Sequence, residues 1–259
     1  MYRLIGMPVS PATKRVCWAL DFADIPYHFE EYLPQITTSW VRLRSGQFSG
    51  PVSVPVLLGK GGIKLLDSWD IALRAHHDRP QAGLIPDAHR EAVAQMNTLS
   101  EQIFYAGRIL ALDRVLADNH ALLDLFPSLI PGWCRRPMLP VMRNTIGAIQ
   151  KKYADPGSTE QDQIKKLDNA LSQVRARLDG KAYVLTDGFG YADMTIIAAL
   201  QVIRPYQPDN SQPQSAYEKA WSCETLATQY GDLLQWRDRI YKEKRKITYR
   251  NKPIRHPVR

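Results

Sequence analysis

The sequence predicts two domains in series: an α/β domain over residues 1–79, a linker over 80–88 and an all-helical domain over 89–241, with a basic tail over 242–259. Three observations predict it. Short β-prone runs alternate with helical spacing in the first part of the chain. A polar, breaker-rich stretch, Asp78-Arg79-Pro80-Gln81-Ala82-Gly83 with Ile85-Pro86, then interrupts the pattern. Beyond it, apolar residues recur at helical intervals alone.

The elements follow in order. Tyr2-Arg3-Leu4-Ile5 is β-prone, and Gly6-Met7-Pro8 ends it. Ser10 precedes Pro11; serine is a good N-cap, and proline is favoured at the first helical position. Val16, Ala19, Leu20 and Ala23 share one helical face, and Ile25 to Phe29 reads as the next strand. A helix of about 13 residues between them suits a parallel crossover. A shorter helix is expected from Ile36 to Ser45, before Gly46, Gly50 and Pro51 break the chain. Pro55 to Leu58 and Ile63 to Leu66 flank Gly59-Lys60-Gly61-Gly62, a hairpin signal. Asp67 or Ser68 opens the last helix of this domain.

In the helical part, Val93, Met96, Leu99, Ile103, Ala106 and Leu110 fit one long helix. Pro127, Pro131, Pro137 and Pro140 mark a broken region after it. Ser158-Thr159-Glu160-Gln161 reads as the capping box of a helix that runs to Leu178. Ala192 to Ile203 is nearly all apolar, so it is expected to be a buried helix. Leu226 to Ile240 is the expected terminal helix.

Composition narrows the function classes. An apolar fraction of 44% can fill a sizeable core. No run approaches the roughly 18 apolar residues a membrane helix needs, so no integral membrane segment is expected. Met1-Tyr2-Arg3-Leu4 lacks the apolar stretch of a signal peptide. Cys17, Cys134 and Cys223 are widely spaced, which fits neither a metal cluster nor a disulfide framework and points to a reducing cytoplasm. His76-His77 finds no third ligand nearby in the sequence. From Lys242 on, eight bases against one acid leave +7 of the chain's net +8. A nucleic-acid surface would need a basic body or interleaved aromatics, and only Tyr249 qualifies, so no nucleic-acid partner is expected.

At this point the sequence resembles a family. Ser10-Pro11 with Lys14-Arg15-Val16, then Val54-Pro55-Val56-Leu57, then Leu66-Asp67-Ser68 with Ile71, are similar to the thioredoxin-like domain of cytosolic glutathione transferases. Leu178-Asp179-Gly180, Tyr183-Val184-Leu185 and Asp187-Gly188-Phe189-Gly190-Tyr191-Ala192-Asp193 resemble the approach to the buried helix of that family's all-helical C-terminal domain. The wording Leu66-Asp67-Ser68-Trp69 and Tyr191-Ala192-Asp193 is also similar to glutathione-dependent β-etherase-type members.

The resemblance implies a serine-type glutathione transferase, a cytoplasmic homodimer of detoxifying activity, with glutathione as co-substrate and a small hydrophobic electrophile as partner. A free thiol near about 8.5 is mostly protonated at pH 7, and lowering it by about two units takes about 2.7 kcal/mol. A hydrogen bond to a charged acceptor supplies roughly 1.5–3 kcal/mol, and a helix N-terminus about 0.3–1 kcal/mol. Ser10 stands where both act, as the catalytic residue the resemblance implies; local sequence alone favours a plain helix cap. Thr13 is a second possible donor and Tyr2 a remote one. A cis Pro55 would turn the backbone of Val54 toward the peptide, although an ordinary strand-start proline would look the same. Asp67 and Ser68 would hold the γ-glutamyl end, or merely cap their helix. The segment where that family often places basic residues against the glycyl carboxylate reads Thr38-Ser39-Trp40-Val41, with Arg42 and Arg44 close by.

The family pattern departs at Ser53, Asp70 and Gly190, the last replacing a hydroxyl cap. Phe104, Tyr105, Arg108, Trp133, Met138 and Tyr206 are candidates for an electrophile pocket between the domains, each equally readable as core or surface. Two alternatives accompany this reading: glutathione-dependent ether cleavage or dehalogenation, and a non-catalytic ligand-binding or regulatory protein on the same fold.

Overall fold

In the computed structural model the described residues are 1–245, apart from 9, 35, 127–129, 156, 186–187 and 208–213. The chain begins with β1 (Tyr2–Gly6), α1 (Pro11–Phe22), β2 (Tyr27–Glu31), α2 (Thr38–Ser45), β3 (Val56–Leu58), β4 (Lys64–Leu65) and α3 (Ser68–Asp78). The strands form one sheet in the order β2-β1-β3-β4. β1 runs parallel to β2, as the crossover length requires, and antiparallel to β3, which pairs antiparallel with β4. Ile5, Tyr32, Val41 and Val56 pack into a buried cluster beside it, covered by Met7, Val52, Val54 and Leu58.

The helical part follows: α4 (Arg90–Ala117), α5 (Asn119–Asp124), α6 (Gly132–Arg135), α7 (Leu139–Tyr153), α8 (Glu160–Leu178), α9 (Tyr191–Ala199), α10 (Ala216–Ala220), α11 (Glu224–Gln229) and α12 (Gly231–Lys244). By contacts the chain divides into two compact units. One takes in Met1–Asn97, Lys181–Ala198 and Lys244–Arg259; the other takes in Thr98–Gly180 and Ala199–Glu243. In the second unit, Leu112, Val115, Ala121, Leu122, Ile146 and Ala220 form a buried cluster. No described helix is long and apolar enough to cross a membrane.

Several expectations shift by a residue or two, for visible reasons. β2 begins at Tyr27, not Ile25, because Asp24 turns the chain at φ 49 and the Ile25 N–H still bonds back to Leu20 at 2.9 Å. β1 ends on Gly6, as expected, and a Cβ there would come within 2.5 Å of Thr13 Cγ2. The capping box of α8 is Thr159 with Asp162. Ser158, one residue earlier, instead accepts a hydrogen bond from Gln163 at 2.7 Å. The terminal helix is two, α11 and α12, divided at Tyr230. Lys244 and Arg245 lie over the rings of Tyr183 and Trp18, at 5.6 Å and 5.3 Å. Pro127, Asp187 and the tail from Lys246 lie outside the described residues.

The helix α9 is buried, as its composition predicts. Its N-terminus carries glycine at a tight place: a Cβ at Gly190 would sit 3.1 Å from the Leu84 carbonyl oxygen, which itself accepts from the Tyr191 N–H at 2.9 Å. Asp193 supplies the cap instead, accepting from the Gly190 N–H at 3.0 Å and the Val184 N–H at 2.7 Å. Restoring a hydroxyl with Gly190→Ser should therefore destabilise the protein, by about 1–3 kcal/mol for an overpacked site, read as a lower melting temperature.

Burial pushes the Asp193 carboxyl up to about 6, against the pull of the backbone amides of Val184, Gly190 and Asp193 itself. The folded chain then holds this proton more tightly than the unfolded chain, whose carboxyl titrates near about 3.9. The contribution is fully present below the unfolded value and is lost as pH rises through about 6. Urea unfolding should show the stability of wild type over Asp193→Asn falling by roughly 1 kcal/mol between pH 5 and 7.5. A difference that stays constant, or grows with pH, would contradict it.

Candidate functional site

Strand register brings three segments to one end of the sheet. Ile5 pairs with Val56, so Val54 and Pro55 lie beyond the C-terminal end of β1, where the chain leaves for Ser10. β4 is antiparallel to β3, with Leu65 opposite Leu57, so it too ends there, and Asp67 and Ser68 follow. The Val54-Pro55 peptide bond is cis, the isomer the resemblance implies.

Ser10 sits in extended backbone at the N-cap of α1. Its N–H donates to the Met7 carbonyl, and its own carbonyl accepts from Lys14, both at 2.9 Å. The side chain makes no capping bond, and among the described residues the hydroxyl has no partner. Thr13 lies buried under Gly6, and its hydroxyl is closed off from solvent. The Tyr2 hydroxyl donates to Asp78 at 2.5 Å and accepts from Arg74 at 2.9 Å. Burial and the Asp78 bond raise its pKa. The Cys17 thiol is pushed by burial up to about 11, far from thiolate character at neutral pH. Of these donors, Ser10 alone is both uncommitted and accessible.

Val54 is half-buried, and among the described residues neither its N–H nor its C=O is hydrogen-bonded. Asp67 is exposed and caps α3 by accepting from the Trp69 N–H at 2.7 Å. Ser68 is 4% exposed. Its carbonyl accepts from the Tyr191 hydroxyl at 3.4 Å, and its own hydroxyl accepts from Arg15 at 2.5 Å. Arg15 also donates to the Thr195 hydroxyl at 2.8 Å. Sequence reasoning gave Arg15 and Thr195 no role. One signal was present: Arg15 stands one turn before Ala19, on the apolar stripe of α1.

Both arginines of α2 are already engaged. Arg42 donates to the carbonyls of Phe48 and Gly50, at 3.2 Å and 2.6 Å. Arg44 lies 3.8 Å from Glu30 and over the Trp40 ring. Near Ser53, Gln47 holds that residue's N–H and C=O at 2.7 Å and 3.0 Å. Asp70 is exposed in the first turn of α3. His76 lies 3.6 Å from Asp87, and His77 3.4 Å from Asp78. No group of three metal-ligating side chains occurs among the described residues.

The pocket candidates of the second unit do not gather in one place. Tyr105 and Arg108 share a cavity of about 640 Å³ with Tyr153 and Lys166. The Arg108 guanidinium is 4.1 Å from the centre of the Tyr153 ring. Phe104 is buried, Trp133 is 81% exposed, and Tyr206 stacks on Tyr241 with ring centres 4.5 Å apart. None of these three, nor Met138, lines that cavity.

A mixed four-stranded sheet followed by helices is the layout that the resemblance to glutathione transferases implies. The family model of the glutathione S-transferase N-terminal domain matches residues 4–83, and that of the C-terminal domain matches residues 139–242. The chain belongs to the glutathione S-transferase family. Solved structures agree on the fold. A glutathione S-transferase of Methylobacterium radiotolerans, in complex with glutathione sulfonate, is 16% identical over 94% of this chain and 91% of that one, with a TM-score of 0.60. One of Ceriporiopsis subvermispora, in complex with glutathione, is 19% identical over 96% and 99%, with a TM-score of 0.60. A glutathione transferase homolog of Drosophila mojavensis, with bound glutathione, is 16% identical over 96% and 90%, with a TM-score of 0.58. None of the curated proteins compared matches the chain.

Tyr2 is expected to act on stability alone. Tyr2→Phe removes a hydroxyl bonded on both sides, so it should cost about 1–3 kcal/mol in urea unfolding. Calorimetric titration with glutathione should give the wild-type affinity.

Proposed function

We propose that the protein is a glutathione transferase. Reduced glutathione binds at the sheet end, Ser10 stabilises its thiolate, and the thiolate attacks a hydrophobic electrophile. The observation that carries this reading is the set of polar groups collected there, of which the Ser10 hydroxyl and the Val54 backbone are uncommitted among the described residues. The Ser10 hydroxyl is free at a helix start. The backbone N–H and C=O of Val54 are open to an added extended peptide, which gains main-chain hydrogen bonds in that position. Ser68 and the exposed Asp67 head α3, where a helix N-terminus favours a carboxylate, while the Asp67 charge suits an ammonium.

The thiolate step needs only a donor and a favourable field. Ser10 donates its hydroxyl hydrogen to the sulfur anion, and the start of α1 adds a partial positive charge. A hydroxyl cannot form a mixed disulfide with glutathione. The site therefore suits conjugation or displacement at carbon, which includes ether cleavage and dehalogenation, rather than thiol–disulfide exchange. The engagement of Arg42 and Arg44 favours one further reading, a non-catalytic ligand-binding protein. Glutathione binding without turnover across a panel of electrophiles would select it.

Ser10→Ala should raise the pKa of bound glutathione and lower turnover, with a smaller effect on affinity. Ultraviolet titration of the bound thiol checks this, and an unchanged pKa would remove Ser10 from the role. Asp67→Ala should weaken binding by about 1.5–3 kcal/mol for a lost charge-assisted contact, measured by calorimetry on folded protein. Wild-type affinity would leave Asp67 as a helix cap only.

A further inference from the structure

We propose that Arg15 is a positioning residue: its guanidinium holds the Ser68 hydroxyl with the hydrogen turned toward the γ-glutamyl carboxylate of bound glutathione. The proposal rests on the glutathione reading above and adds a residue to it that never touches the ligand.

The argument begins with hydrogen-bond polarity. A guanidinium carries five donors and no acceptor. Its contact of 2.5 Å with Ser68 Oγ therefore makes the serine oxygen an acceptor. The serine's own hydrogen has to point elsewhere. Among the described residues no acceptor takes it, and the Ser68 carbonyl is occupied separately by the Tyr191 hydroxyl. A free hydroxyl rotor serves as donor or acceptor with equal ease. With Arg15 behind it, this one presents a donor.

Two further features hold the arrangement. The second guanidinium contact, to Thr195 at 2.8 Å, anchors Arg15 from another helix. Arg15 is 1% exposed, so water does not compete for either bond. Its charge also stands one hydroxyl away from the place where the ligand's anionic group would sit. Charge and hydroxyl polarity agree: both favour a carboxylate at Ser68 and disfavour an ammonium there. The ammonium is left to the exposed carboxylate of Asp67 next door.

A structural role alone would weaken every ligand of the site alike, whereas a positioning role is selective for the carboxylate. Calorimetry should compare glutathione with γ-aminobutyryl-cysteinyl-glycine, the same peptide without that carboxylate. In wild type, glutathione should bind at least about tenfold more tightly, as expected for a hydrogen bond to a charged group. Arg15→Met should abolish most of that preference by weakening glutathione about tenfold, with the analogue changed by less than about twofold. Ser68→Ala should do the same, and Arg15→Met added to it should change glutathione affinity by less than about twofold.

Equal losses on both peptides, or additive losses in the double variant, would overturn the assignment of Arg15 while leaving glutathione as the ligand. A wild type that binds neither peptide would overturn the glutathione reading itself. Should Arg15→Met fail to fold, a crystal structure of the wild-type glutathione complex decides. Ser68 Oγ within hydrogen-bond distance of both Arg15 and the ligand carboxylate supports the proposal. Ser68 turned from the carboxylate, or Arg15 detached from Ser68, overturns it.

Discussion

One buried cation joins the parts on which the candidate site depends. Arg15 leaves α1 one turn and a half after Ser10 and reaches the first residue of α3 and the fifth residue of α9. Removing a guanidinium from water is costly unless its donors are matched. Here two hydroxyls from two different helices accept from its two terminal nitrogens. The helix that begins at Ser10 is therefore bound to the helix that begins at Ser68 by more than apolar packing. Their N-termini are registered against each other by bonds of defined length and direction, which apolar contacts alone do not set.

The sheet supplies the other half of the geometry. Parallel pairing of β1 with β2 sends α1 back over the sheet. Antiparallel pairing of β3 and β4 returns the chain twice to the end where α1 starts. Every segment that reaches this end arrives at a boundary between regular elements. Such boundaries are where backbone and side-chain donors lack internal partners. The convergence of polar groups at Ser10, Val54 and Ser68 follows from this topology. The residue types then decide what the end of the sheet can hold.

Much of this was legible in the sequence, and the reasons differ by residue. Ser10-Pro11 and Asp67-Ser68 are local signals, so the starts of α1 and α3 could be placed from capping and proline preference alone. The two glycines with large consequences were not legible in the same way. Gly6 reads as a strand breaker, and β1 does end on it, but the sequence does not show that the glycine is also required by the approach of Thr13. Gly190 reads as a weakened cap, yet Leu84 leaves only tight room for a side chain there. Both are set by contacts distant in sequence. Arg15 is the sharper case. A basic residue on an apolar stripe is a conflict that local reasoning notices but cannot resolve, since its partners lie in helices that begin 53 and 176 residues further on.

The cap of α9 shows how such distant contacts bear on the site without touching it. Gly190 brings no side chain to the cap, and Asp193 takes the N–H groups of Gly190 and Val184. That ties the segment before the helix to its first turn and leaves a carboxylate in a buried position. The same first turns carry Tyr191, which bonds the Ser68 carbonyl, and Thr195, which bonds Arg15. A change in the protonation or identity of Asp193 would act first on the N-terminus of α9, and only through it on Ser68. The apolar composition that buries α9 and the polar groups that orient Ser68 thus belong to one construction. A helix placed wholly inside the protein is a firmer support for a buried guanidinium than one free to shift on a surface.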